Sequence, residues 1–130
     1  MCDVEKSGDF EFEDFPCYTC YENYKTGKYV LDGLFVYTKN QSGLKESMKK
    51  LDFIFQKIVD LDSMARNSFL KEFDWVDEED LNEIELNNIC YYEYGHFELY
   101  YDLPKEVELE YIVGIFDEKC ILIETTAGNY

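Results

Sequence analysis

The chain has 130 residues, of which 46% are hydrophobic and 18% aromatic, and its 12 basic and 29 acidic residues give a formal net charge of −17. That length fits a single domain, 1–130, which buries roughly two-thirds of its unfolded surface, and the apolar content excludes disordered, collagen-like and low-complexity chains. The charge argues against a basic footprint for DNA, RNA or an anionic membrane. No run approaches the roughly 18 apolar residues of a membrane span, and Met1-Cys2-Asp3-Val4-Glu5-Lys6 has neither a basic nor an apolar leader region. A soluble, cytoplasmic protein is expected.

In chain order, Phe10, Phe12 and Phe15 set against Glu11 and Glu13 predict a half-buried strand over Asp9 to Phe15. A second strand is expected across Tyr18 to Tyr24. A third is expected over Lys28 to Tyr37, where Gly33 marks a bulge or a close backbone approach. After Asn40-Gln41-Ser42-Gly43 the period changes. Leu44, Met48, Leu51, Phe55 and Ile58 step by four and three along one helical face, with Ser42 as N-cap and Lys45, Lys49, Lys50 and Lys57 mainly opposite. Asp62 or Ser63 is expected to cap a second helix through Met64, Ala65, Phe69 and Leu70. Asp77-Glu78-Glu79-Asp80-Leu81 reads as the acid-rich first turn of a third, shorter helix.

From Ile89 the period returns to two, with Tyr91 facing one way and Cys90, Tyr92 and Tyr94 the other, before Gly95 turns the chain into Phe97, Leu99 and Tyr101. Beyond Pro104, Leu109, Tyr111, Val113 and Ile115 alternate with Glu108 and Glu110. Asp117-Glu118 then separates this run from Cys120-Ile121-Leu122-Ile123 as a tight hairpin, and the tail from Ala127 to Tyr130 is expected to fray. These elements predict an α+β fold: an antiparallel sheet with two or three helices packed on one face, in the order strands, helices, strands. A parallel, nucleotide-binding sheet is disfavoured.

Cysteines at 2, 17, 20, 90 and 120, without an export signal, predict reduced thiols. Cys17-Tyr18-Thr19-Cys20 is the only C-x-x-C. A redox pair would open a helix, and a zinc site would need Cys90 and Cys120 to join it; on a regular strand Cys17 and Cys20 point to opposite faces, and only a turn would bring them together. His96, the only histidine, follows Gly95 in an expected turn, so a histidine-based nucleophilic triad has no second candidate. Asp77 to Asp80 lacks the alternating oxygen ligands of a calcium loop, and no glycine loop would cradle phosphate. The aromatics lack the neighbouring cations that a single-stranded nucleic acid would require. No catalytic residue, metal or cofactor is therefore expected, and the protein is not expected to be an enzyme.

What remains is charge. Residues 1–65 carry eight lysines and twelve acids, whereas 66–130 carry Arg66, Lys71, Lys105 and Lys119 against seventeen acids. Such a field serves either as a solubilising surface or as a docking face for a basic partner. Two acidic sets are candidates. Asp74, Asp77, Glu78, Glu79 and Asp80 surround Trp75, either a desolvated anchor or a core plug, while Glu106, Glu108 and Glu110 are expected along one side of a strand.

The helix bearing Met64-Ala65-Arg66 and Phe69-Leu70, Trp75 before an acidic helix start, Leu86 to Ile89, and Phe97-Glu98-Leu99-Tyr100-Tyr101-Asp102 together resemble small bacterial domains of unknown function, some of which occur beside polymorphic or contact-dependent toxins. The likeness spans about residues 44–125, leaving the C-x-x-C outside. It implies an α+β fold, no catalytic residues to carry over and an immunity protein as the role. The resulting expectation is an acidic interaction protein that inhibits a basic toxin such as a nuclease. The alternatives are a phage-encoded DNA mimic directed at a nucleic-acid-binding protein, or an accessory domain with only a solvated acidic surface. In each reading direct nucleic-acid and membrane binding are absent.

Overall fold

A computed structural model describes residues 17–104 and 108–129. The strand expected over Asp9 to Phe15 lies outside them, as does Glu106. The described elements are β1 (Cys17–Thr26), β2 (Tyr29–Thr38), α1 (Gly43–Phe55), α2 (Ile58–Glu72), α3 (Glu78–Glu83), β3 (Leu86–Tyr92), β4 (Phe97–Asp102), β5 (Tyr111–Phe116) and β6 (Leu122–Gly128). They form one six-stranded sheet in the order β1-β2-β3-β4-β5-β6 with three helices, an α+β architecture.

The sheet is mixed, which corrects the expectation of purely antiparallel pairing: β2 and β3 run parallel, Leu34 opposite Ile89 and Val36 opposite Tyr91. A parallel neighbour needs a long crossover. The helices α1 to α3 supply it, and every other neighbour is antiparallel.

The helices bury one face of the sheet. Leu34, Val36, Ile89, Tyr91, Phe97, Leu99, Tyr101, Ile112 and Phe116 meet Leu51, Ile54, Ile58, Leu61, Ala65 and Phe69 in one core. Phe97 and Phe116 stack with centroids 4.9 Å apart, and Phe69 meets Tyr101 edge-on at 5.4 Å. Gly114 lets α2 approach, because a Cβ there would sit 3.1 Å from the Ala65 methyl. Gly33 is likewise a close approach, where a Cβ would lie 2.7 Å from the Phe35 ring. Beside it Asn23 takes a left-handed φ of 52°, and Tyr21, Tyr24, Leu31 and Leu34 all reach the helix side although each pair is three residues apart.

Several local expectations are corrected by tertiary contacts. The buried face of α1 is Ser47, Leu51 and Ile54, continuing to Ile58 of α2, so the helix is rotated and Leu44, Met48 and Phe55 are only half-buried. The chain breaks at Gln56–Lys57, making Ile58 the start of α2. Ser42 does not cap α1; Asn40 Oδ1 accepts the Gly43 N–H at 3.2 Å instead. Asp62 lies inside α2 and is buried. On β5 the helix side takes Ile112, Gly114 and Phe116, leaving Tyr111, Val113 and Ile115 on the other face. Ala127 and Gly128 pair with Ile112 and Tyr111 rather than fray.

The opposite face of the sheet is aromatic. Tyr18, Phe35, Tyr92 and Tyr100 pack around buried Tyr37 and Cys90, with Tyr37 and Tyr92 stacked at 5.1 Å. Cα-paired residues share a face, so Cys20, Phe35, Cys90 and Glu98 form one row across it.

Candidate functional site: the acidic edge at helix α3

The segment from Asp74 to Asp80 links α2 to α3 and opens the latter. A six-residue helix is far too short to hold itself together. Asp77 fixes its N-terminus with a reciprocal capping box: its side chain accepts the Asp80 N–H at 2.8 Å, while the Asp80 carboxylate accepts the Asp77 N–H at 3.1 Å. Val76, Leu81 and Ile84 anchor it in the core. Carboxylates in the first turn also complement the helix dipole.

Arg66 secures the other end. Its guanidinium donates to the Leu81 carbonyl at 2.6 Å and the Ile84 carbonyl at 3.1 Å, satisfying C-terminal groups that the helix leaves unpaired. Its Nε donates to Asp62 at 2.9 Å, and Asp62 also accepts the hydroxyls of Tyr29 at 2.8 Å and Tyr101 at 2.6 Å. Burial and this bond push the Tyr29 hydroxyl up to about 12. The Arg66 cation also stands 5.2 Å from the Tyr101 ring centroid. This network therefore holds the acidic helix against α2 and the sheet. The i,i+4 spacing of Asp62 and Arg66 is the only trace of it in the sequence; nothing local links them to Tyr29 or Tyr101.

Asp74, Asp77, Glu78 and Glu79 are exposed and Asp80 is half-buried, so the structure brings this predicted set together on one edge. Trp75 stands among them with 41% of its surface exposed, its ring 5.4 Å from Phe73. It is not a core plug. The second set is placed differently: Glu108 and Glu110 are exposed but precede β5 instead of lying on a strand, and the Glu110 carbonyl accepts the Leu103 N–H just beyond the β4–β5 pairing. The Glu110 N–H donates to the Asn129 side chain and the Gly128 carbonyl. The two sets thus occupy different connections.

The other candidate chemistry is dispersed. Cys17 and Cys20 both lie on β1, and His96 is exposed at the β3–β4 turn, its ring edge-on to Tyr94. Among the described residues no three His, Cys, Asp or Glu side chains converge as metal ligands. On the aromatic face Glu98 accepts the hydroxyls of Tyr92 at 2.9 Å and Tyr100 at 3.3 Å, and burial raises its carboxyl above the usual range despite them. No helix among the described residues is long and apolar enough to cross a membrane. Comparison of the chain with family models, curated proteins and solved structures returns no match.

Proposed function

We propose that the protein is a non-catalytic, cytoplasmic interaction protein, an immunity-type inhibitor whose α3 edge docks on a basic toxin such as a nuclease. The observation that carries this reading is Trp75, exposed beside the exposed carboxylates Asp74, Asp77, Glu78 and Glu79 in the connection leading into α3, a helix fixed at both ends. Interface energy concentrates in a few aromatic or arginine anchors, while surrounding charge speeds encounter and rejects wrong partners. Trp75 is the anchor in this scheme, and Asp74, Glu78 and Glu79 supply the steering field. Asp77 and Asp80 shape the helix. The acidic excess suits a toxin surface built to hold phosphates, since both present anions to the same cations.

The test is co-purification of the tagged protein from the organism that encodes it, at low and high salt, with Trp75→Ala and the triple variant Asp74→Lys/Glu78→Lys/Glu79→Lys beside the wild type. These exposed substitutions leave the capping box intact. One basic partner should be held by the wild type at low salt, released at high salt and lost from both variants. With that partner purified, the charge variant should associate roughly tenfold more slowly or worse, and Trp75→Ala should dissociate faster. A partner retained equally by both variants, or none at all, rejects the reading.

A further inference from the structure

A second region has a different electrostatic character, with three lysines and two glutamates on its walls. A cleft of about 550 Å³ lies between α1 and the turns that join β3 to β4 and β5 to β6. This volume is within the range of about 300–1,000 Å³ typical of small-molecule sites. Phe53, Ile54, Tyr91 and Tyr94 give it apolar walls, and Lys50 and Lys119 line it as well. Lys49 is also present but is held by Glu46 at 3.3 Å. Among the described residues neither Lys50 nor Lys119 makes an ion pair. Two such ammonium groups beside an apolar cleft stand out in a chain with 12 basic and 29 acidic residues.

Tyr91 supplies an independent observation. It lines the cleft, it is fully buried, and its hydroxyl is the one buried side-chain polar atom among the described residues with no hydrogen-bond partner. Native structures leave few such groups, because each has given up its bonds to water without replacement. Burial first, then the nearby Cys120 and Glu93, push this hydroxyl up to about 12.

We propose that this cleft binds a small amphipathic organic anion, an aromatic or short aliphatic carboxylate. Its apolar body lies against Phe53, Ile54 and Tyr94, its carboxylate is drawn to Lys50 and Lys119, and the Tyr91 hydroxyl donates to one of its oxygens. Glu46 and Glu118 also line the cleft, which favours a single negative charge over a polyphosphate. The site is separate from the α3 edge and does not depend on its role.

The experiment titrates the full-length protein with phenylbutyrate, phenylbutanol and inorganic phosphate while amide NMR shifts are followed. Phenylbutyrate should produce saturable shifts centred on Ile54, Tyr94, Gly95 and Cys120, phenylbutanol should bind roughly tenfold more weakly, and phosphate alone should leave these amides unmoved. Lys50→Glu/Lys119→Glu, at two exposed positions, should lower phenylbutyrate affinity roughly tenfold with the spectrum otherwise preserved. Tyr91→Phe should raise the melting temperature of the free protein, by removing the orphaned hydroxyl, and weaken phenylbutyrate binding. Equal binding of the alcohol, unchanged affinity in the lysine variant, or shifts centred elsewhere would overturn the proposal. Unchanged affinity in Tyr91→Phe would overturn the donor role of its hydroxyl.

Discussion

Asp62 on the helix side of the sheet and Glu98 on the aromatic side are both acids that accept tyrosine hydroxyls, yet their surroundings differ in one respect. Asp62 accepts two hydroxyls and an arginine, whereas among the described residues Glu98 accepts two hydroxyls and has no cation beside it. Burial of an ionised carboxylate is tolerable when it is paired and fully hydrogen-bonded, and unfavourable otherwise. The helix side therefore carries a charge that organises structure: Arg66, held by Asp62, reaches on to the α3 carbonyls and so shapes the acidic edge. The aromatic side carries a carboxyl that burial biases toward its neutral form.

The largest consequence is expected at Asp62. Asp62→Ala leaves Arg66, Tyr29 and Tyr101 without their shared acceptor, and the loss of unfolding free energy should be about 3 kcal/mol or more by denaturant titration. A loss under about 1 kcal/mol would mean that solvent or Arg66 alone replaces the carboxylate, erasing the difference between the faces. Next in size is a matched pair of hydroxyl deletions. Tyr101→Phe removes a buried 2.6 Å bond to a charged acceptor and should lose about 2 kcal/mol, whereas Tyr100→Phe removes a 3.3 Å bond on the part-buried aromatic side and should lose about 0.5 kcal/mol. Equal losses would show that the shorter, buried bond on the helix side is worth no more than the longer one on the aromatic side.

These contacts also mark where local sequence stops being informative. The acid-rich start of α3, the hairpins around Gly95 and Asp117, and the opposed directions of Tyr91 and Cys90 are fixed by residues a few positions apart, and local composition and periodicity declare them. The parallel β2–β3 pair joins segments separated by three helices, so its register depends on how those helices pack. The rotation of α1 has the same origin: Ser47 is polar, yet packing places it against the sheet in preference to Leu44 or Met48. Asp62 read as a helix cap because aspartate favours that position; its actual partners lie 33 and 39 residues away. The cleft beside Tyr91 was invisible for a similar reason, since its walls come from a helix and two distant turns. At the acidic edge the identity of the carboxylates was legible, whereas the exposure of Trp75 was not.

The smallest expected effect tests the aromatic face through pH. Glu98 has its carboxyl raised in the folded protein, chiefly by burial, with the Tyr92 and Tyr100 hydroxyls pulling the other way. A group raised in the folded state binds its proton more tightly there than in the unfolded chain. Its contribution to stability is therefore complete below the ordinary glutamate value of about 4.3 and is lost as pH rises through the higher folded value. Glu98→Gln keeps the shape and an oxygen that can accept both hydroxyls, but it cannot ionise. It should match the wild type near pH 4 and exceed it at neutral pH, read as a small rise in melting temperature that grows with pH. The corresponding change at Asp62, Asp62→Asn, should destabilise at neutral pH, because it deprives Arg66 of its counter-charge. Opposite signs for these two amide substitutions at one pH would show that the two faces of a single sheet treat a carboxylate in opposite ways.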